Sequence, residues 1–108
     1  MGRALAKNNA GTIAVSEKAF QQAVIDLARL SGWRVFHVYD SRRSPAGFPD
    51  LVLVRHETML CLELKTDVGR VTPAQATWLE ALGAVQHVTA AVWRPADWAV
   101  IERQLLMR

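Results

Sequence analysis

Apolar residues recur along this chain with two distinct periods, and the change of period divides it into elements. Phe20, Ala23, Val24, Leu27 and Leu30 stand at helical spacing between Ser16, a good N-cap, and Gly32, a good stop, so a helix is predicted over residues 16–31. Trp33-Arg34-Val35-Phe36-His37-Val38-Tyr39 instead alternates and is rich in β-formers, which predicts a strand. Two short runs, Leu51-Val52-Leu53-Val54 and Leu60-Cys61-Leu62, read as a hairpin turning through Arg55-His56-Glu57-Thr58-Met59. Thr72 and Pro73 open a second helix that runs to Leu82 and closes at Gly83, and Thr72 with Gln75 fits a capping box. A last strand over residues 87–93 precedes a C-terminal helix begun by Pro95 and carrying Val100, Ile101 and Leu105. The order α-β-β-β-α-β-α describes an α/β domain, a mixed sheet flanked by helices, with the crossover from Glu63 to Val92 expected to be right-handed. Residues 1–15 are small, polar and basic, and are expected to form a flexible arm ahead of a domain spanning 16–108.

Composition narrows the class without deciding it. A chain of 108 residues, 51% hydrophobic and 21% charged, has the size and balance of one globular domain. Its net charge of +3 and pI near 9.6 suit a polyanionic partner but do not prove one. Cys61 is the single cysteine, which excludes an intrachain disulfide and a thiolate-held zinc. No apolar run approaches the roughly 20 residues needed to cross a bilayer. The N-terminus lacks the apolar centre of a signal peptide, and Ala6 stands where a myristoylation signal has Ser or Thr. A soluble, cytoplasmic protein is expected.

The chemistry concentrates around the hairpin. Asp50 follows the turn residues Gly47-Phe48-Pro49 at the entry to one strand, and Glu63-Leu64-Lys65 ends the other. Alternation along a strand puts Glu63 and Lys65 on one side, with Leu60, Leu62 and Leu64 on the other. Asp50 is then expected beside Glu63, at a separation suited to a hard divalent cation such as magnesium, with the Leu64 carbonyl as a third oxygen ligand. Lys65 would orient the attacking water or stabilise developing negative charge. That layout belongs to a metal-dependent phosphodiesterase, although a Glu-x-Lys triplet alone also occurs as ordinary surface charge. His37, His56 and His87 lack metal-ligand spacing, and Trp33, Trp78, Trp93 and Trp98 fall at packing positions. Arg42 and Arg43 before Asp50, with Arg70 after the second strand, are candidate DNA-phosphate contacts or a solvated basic loop.

Taken together, Gly47-Phe48-Pro49-Asp50, Glu63-Leu64-Lys65 and Gly69-Arg70-Val71-Thr72-Pro73-Ala74-Gln75-Ala76-Thr77-Trp78-Leu79 closely resemble the virus-type replication-repair nuclease domain, VRR-NUC, of the PD-(D/E)XK superfamily. The resemblance runs from about Glu17 to the C-terminal helix and implies a restriction-endonuclease-like fold. It implies that Asp50 and Glu63 bind metal, that Lys65 is the catalytic lysine, and that Glu17 is the first-helix acid supporting a metal or its water. Gln75 matches a glutamine approaching the site from the second helix, a role compatible with its capping box. Phe48 departs mildly from the small or β-branched residue common at its position. The resemblance further implies a Mg2+-dependent endonuclease, with Mn2+ able to substitute, acting on DNA. Lone small domains of this kind occur in phages and bacteria and resemble Holliday-junction resolvases that act in DNA repair as symmetric homodimers. The alternatives are a nuclease for flap, nicked or duplex DNA and a catalytically silent DNA-binding subunit.

Overall fold

The computed structural model describes residues 5–7, 13–38 and 45–107. Its elements are β1 (Leu5–Lys7), β2 (Ile13–Val15), α1 (Glu17–Leu30), β3 (Arg34–His37), β4 (Leu51–Arg55), β5 (Thr58–Leu64), α2 (Pro73–Gly83), β6 (Val88–Trp93) and α3 (Trp98–Leu106), the last preceded by a 3-10 turn over Pro95–Asp97. From α1 onward this is the expected order. Ahead of it, in the stretch expected to be an arm, β1 and β2 pair antiparallel. The four remaining strands form one mixed sheet in the order β3-β4-β5-β6, antiparallel except for the parallel β5–β6 pair that α2 connects.

Strand alternation divides the sheet into two unlike faces. Leu51 and Leu53 of β4, Leu60, Leu62 and Leu64 of β5 and Trp93 of β6 are buried on one face. They meet Phe20, Val24, Ile25 and Ala28 of α1 and Ile101 and Leu105 of α3 in a single core. Burial of this apolar surface is the main favourable term in folding. It also engages the apolar stripes of both helices, while Val100 and Leu106 of α3 stay about half exposed. Leu30, counted in the stripe by its spacing, is 85% exposed at the end of α1, and the unremarked Ile25 takes the buried position. Gly32, at φ +89°, turns the chain out of α1.

The second face carries α2, which packs mainly on β6 and less on β5. On that face Phe36 is 63% exposed and Val54 also lies open to solvent. The hairpin is tighter than the five-residue loop expected: Arg55 pairs with Thr58, leaving only His56 and Glu57 in the turn. His56 takes a left-handed φ of 55° there, a conformation in which histidine is enriched. No helix among the described residues is long and apolar enough to cross a membrane.

Arg55 ties the far end of the sheet to both core helices. Its guanidinium donates to the carbonyls of Ser31 at 2.9 Å, Leu105 at 2.9 Å and Met107, and lies 4.2 Å over the Trp33 ring. Trp33 Nε1 donates to the same Leu105 carbonyl at 3.0 Å. A cation at the carboxyl ends of two helices satisfies carbonyls left open by the helical ladder and complements the dipoles. Arg55→Ala is expected to destabilise the protein by about 2–3 kcal/mol, the range for losing charge-assisted hydrogen bonds. Urea unfolding measures this, and a loss below about 0.5 kcal/mol would place the guanidinium in solvent.

Candidate active site

The hairpin register places the two acids. Leu51 pairs with Leu62, so one step outward Asp50 faces Glu63, and the following step would face Pro49 to Leu64. Pro49 has no N–H to give, and the regular ladder ends there. The Leu64 N–H finds the Asp50 carboxylate instead, with Oδ2 accepting at 2.9 Å. On the other edge, Lys65 N–H donates to the Trp93 carbonyl at 3.0 Å, extending the β5–β6 ladder one residue. Lys65 thereby keeps the alternation and shares a face with Glu63, its Nζ 3.7 Å from Glu63 Oε2.

The turn that delivers Asp50 is held against α2. Gly47 has φ +90°, and a β-carbon there would stand 2.5 Å from the Ala74 carbonyl carbon, so only glycine fits. Phe48 meets Trp78 edge to face at 5.1 Å, and the Asp50 carbonyl accepts from Val38 N at 3.0 Å. Gln75 serves both functions open to it. Its Oε1 accepts from Thr72 N at 2.9 Å to complete the capping box, while its Nε2 donates to Glu63 Oε2 at 3.1 Å. One rigid amide thus caps α2 and orients the central carboxylate.

Glu63 is only 4% exposed. Its pKa is pushed up to about 8, first by burial, then by the Asp50 charge and a hydrogen bond between the two carboxyls. Lys65 opposes the shift and Glu17 adds to it. A protonated Glu63 donating to ionised Asp50 fits these causes, since like charges this close disfavour joint ionisation. Two facing carboxyls, one of them holding a proton well above its ordinary range, make a donor set that fits a hard divalent cation, because such an ion could take the proton's place between them. Among the described residues no three His, Cys, Asp or Glu side chains gather closely enough to hold a metal ion. Two side chains are what this site offers, and the rest of a shell would come from backbone oxygen and water.

The other candidates divide. Glu17, expected to support a metal or its water, is exposed in the first turn of α1 and acts on Glu63 through its field. Arg70 is exposed in the β5–α2 loop, whereas Arg42 and Arg43 lie outside the described residues. His37, given no role by its spacing, has its Nε2 2.9 Å from Gln21 Nε2. Sequence reasoning gave no hint of Arg94, whose Nη1 donates to the carbonyls of Thr66 at 2.7 Å and Gly69 at 2.6 Å just beyond Lys65. A cavity of about 550 Å³ between the hairpin turn and α3 includes Trp33, Arg55 and Val100 in its lining but neither Asp50 nor Glu63.

A buried glutamate facing a half-buried aspartate, with a lysine beside it, stands on a Pro-Asp and Glu-x-Lys frame at the end of a mixed sheet. The family model for the VRR-NUC domain matches residues 9–94, and the chain belongs to that family of nucleases. A solved structure described as "VRR_NUC domain protein" superposes with a TM-score of 0.64 at 23% identity, covering 85% of this chain and 91% of the other. Among curated proteins, none matches this sequence. Nucleases of this type generally use divalent metals.

The raised pKa of Glu63 has a signed effect on stability. Between about 4.5 and about 8 the folded protein holds a proton on Glu63 that the unfolded chain has released, so Glu63's contribution to stability falls as pH rises through that window. In chelator, Glu63→Gln is expected to flatten this decline, as read from melting temperatures across the window. An unchanged slope would show Glu63 titrating at its ordinary value.

Proposed function

We propose that this protein is a magnesium-dependent, structure-selective DNA endonuclease, resembling Holliday-junction resolvases in acting as a symmetric homodimer. The observation that carries the reading is the meeting of Asp50, Glu63 and Lys65 at one sheet end, with Glu63 oriented by Gln75. Asp50 and Glu63 would hold the cation, together with the carbonyl of Leu64, the residue whose N–H donates to Asp50. When bound, that ion supplies charge neutralisation at the scissile phosphate and a more acidic water. Manganese is expected to substitute.

The protein's own groups do the rest. Water attacks phosphorus while the bond to the leaving oxygen breaks, leaving a phosphate on one product and a hydroxyl on the other. Lys65 places an ammonium beside the acids, where it can orient that water or offset the charge gathering on the phosphate oxygens. Gln75 keeps Glu63 from rotating away, and Glu17 assists at one remove from the rim. Arg70, with Arg42 and Arg43, would hold phosphates flanking the cut and fix the duplex without reading its bases. DNA shape would then govern selectivity.

A second copy would bring a second site related by a two-fold axis, which paired cuts in opposite strands require. The exposed Phe36 and its neighbour Val54, on one face of adjacent strands, supply apolar surface of the kind a partner covers. The compartment is expected to be the cytoplasm, that of the host cell if the protein is phage-encoded.

Cleavage of a labelled four-way junction, compared with flap, nicked and linear duplex of the same sequence, tests this directly. Symmetric junction cuts that need magnesium and vanish with chelator are expected. Asp50→Ala and Lys65→Ala should each lower the rate by about 10²-fold or more while DNA binding and melting temperature stay near those of the parent. Preference for another DNA form would move the substrate, and tight binding with no cutting under either metal would make the chain a DNA-binding subunit.

A further inference from the structure

The chain turns back immediately after the acid-lysine strand. Thr66 O accepts from Gly69 N at 3.2 Å, closing a tight turn over residues 66–69. That turn folds onto the lysine: a methyl group placed at Gly69 would stand 3.4 Å from Lys65 Cδ and 3.5 Å from Lys65 Cβ. Gly69 is thus the wall against which the Lys65 stem lies. Lys65 has four rotatable carbons, and its ammonium is useful only if the stem is held.

What holds the turn comes from 25 to 28 residues further along. Arg94, the residue after β6, inserts its guanidinium so that Nη1 donates to both Thr66 O and Gly69 O, the carbonyls of the turn's first and last residues. Arg94 is itself anchored, because its own N–H donates to Asp97 Oδ2 at 2.9 Å in the 3-10 turn before α3. Asp67 returns the tie, its Oδ1 accepting from Ala96 N at 3.1 Å. The Lys65 backbone is bound to the same junction through the Trp93 carbonyl. The backbone and the stem of Lys65 are therefore both referred to the end of β6.

We propose that Arg94 is a positioning residue for Lys65: by bridging the Thr66 and Gly69 carbonyls it closes the β5–α2 turn into a collar that fixes the lysine stem beside Glu63. The inference rests on the reading of Lys65 as the lysine acting in cleavage. A planar cation suits the task, since its fixed N–H directions hold two carbonyls at once.

The test combines steady-state cleavage by Arg94→Ala with side-chain NMR of Lys65, using protein labelled at lysine Cε. Arg94→Ala is expected to lower kcat by about 10- to 100-fold, the scale of a misplacement near 1 Å, with KM and DNA affinity in chelator within about twofold of the parent. The Lys65 Cε resonance should shift and sharpen as the stem gains freedom, and Arg94→Lys should recover part of kcat. Asp67→Ala, which removes an exposed tie and leaves the core alone, should show a smaller fall of the same kind and serves if Arg94→Ala does not fold. An unchanged kcat with a lowered melting temperature would overturn the proposal, as would a loss confined to DNA affinity, which would make Arg94 a phosphate contact. Parent protein that cuts no DNA would overturn the nuclease reading instead. In that event identical Lys65 resonances in parent and variant would still overturn the collar by themselves.

Discussion

Two carboxyl groups facing each other one step beyond the last rung of an antiparallel ladder are the constraint around which this structure is arranged. Asp50 and Glu63 are set opposite by the Leu51–Leu62 register, and Glu63 is buried there. Such an arrangement is unfavourable for folding when both groups ionise. The chain meets it with specific neighbours: the Leu64 N–H for Asp50, and the Gln75 amide and the Lys65 ammonium for Glu63. Each neighbour is supplied by an element already fixed for another purpose.

The division of the sheet into two faces makes this affordable. The face under α1 and α3 carries the core residues, so the acids on the other face can be strained without opening the interior. Arg55 secures the far end of the core, where it joins the carboxyl ends of α1 and α3 to the hairpin. α2 contributes no fully buried residue. Its fixed points are instead the Gly47 turn, the Phe48–Trp78 contact and the capping box, and these connect its first turn to the acids. Placement of the acids and placement of α2 are therefore one problem, solved by the same few residues.

Much of this was legible in the sequence because it depends on periodicity. Alternation along β5 put Glu63 and Lys65 on the face away from Leu60, Leu62 and Leu64, and the hydrophobic runs aligned Asp50 with Glu63. Thr72 and Gln75 announced their capping box by spacing. Other features left no local signal. Arg94 acts on carbonyls 25 and 28 residues earlier, and nothing about an arginine after a strand says where its side chain will reach. The exposure of Leu30 and burial of Ile25 depend on where α1 ends against the sheet, which helical spacing alone does not fix. The paired strands β1 and β2 lie in a segment whose small polar composition resembles a loop. Arg55 was read as a turn residue, because its capping of two helices depends on tertiary packing.

The most direct measurement of the central claim is the titration of the Glu63 side-chain carboxyl by carbon NMR, first in chelator and then with magnesium. The account expects a metal-free midpoint near 8 that falls below neutrality as magnesium is added, because the cation takes the place of the shared proton. A midpoint at the ordinary glutamate value, unmoved by magnesium, would contradict it.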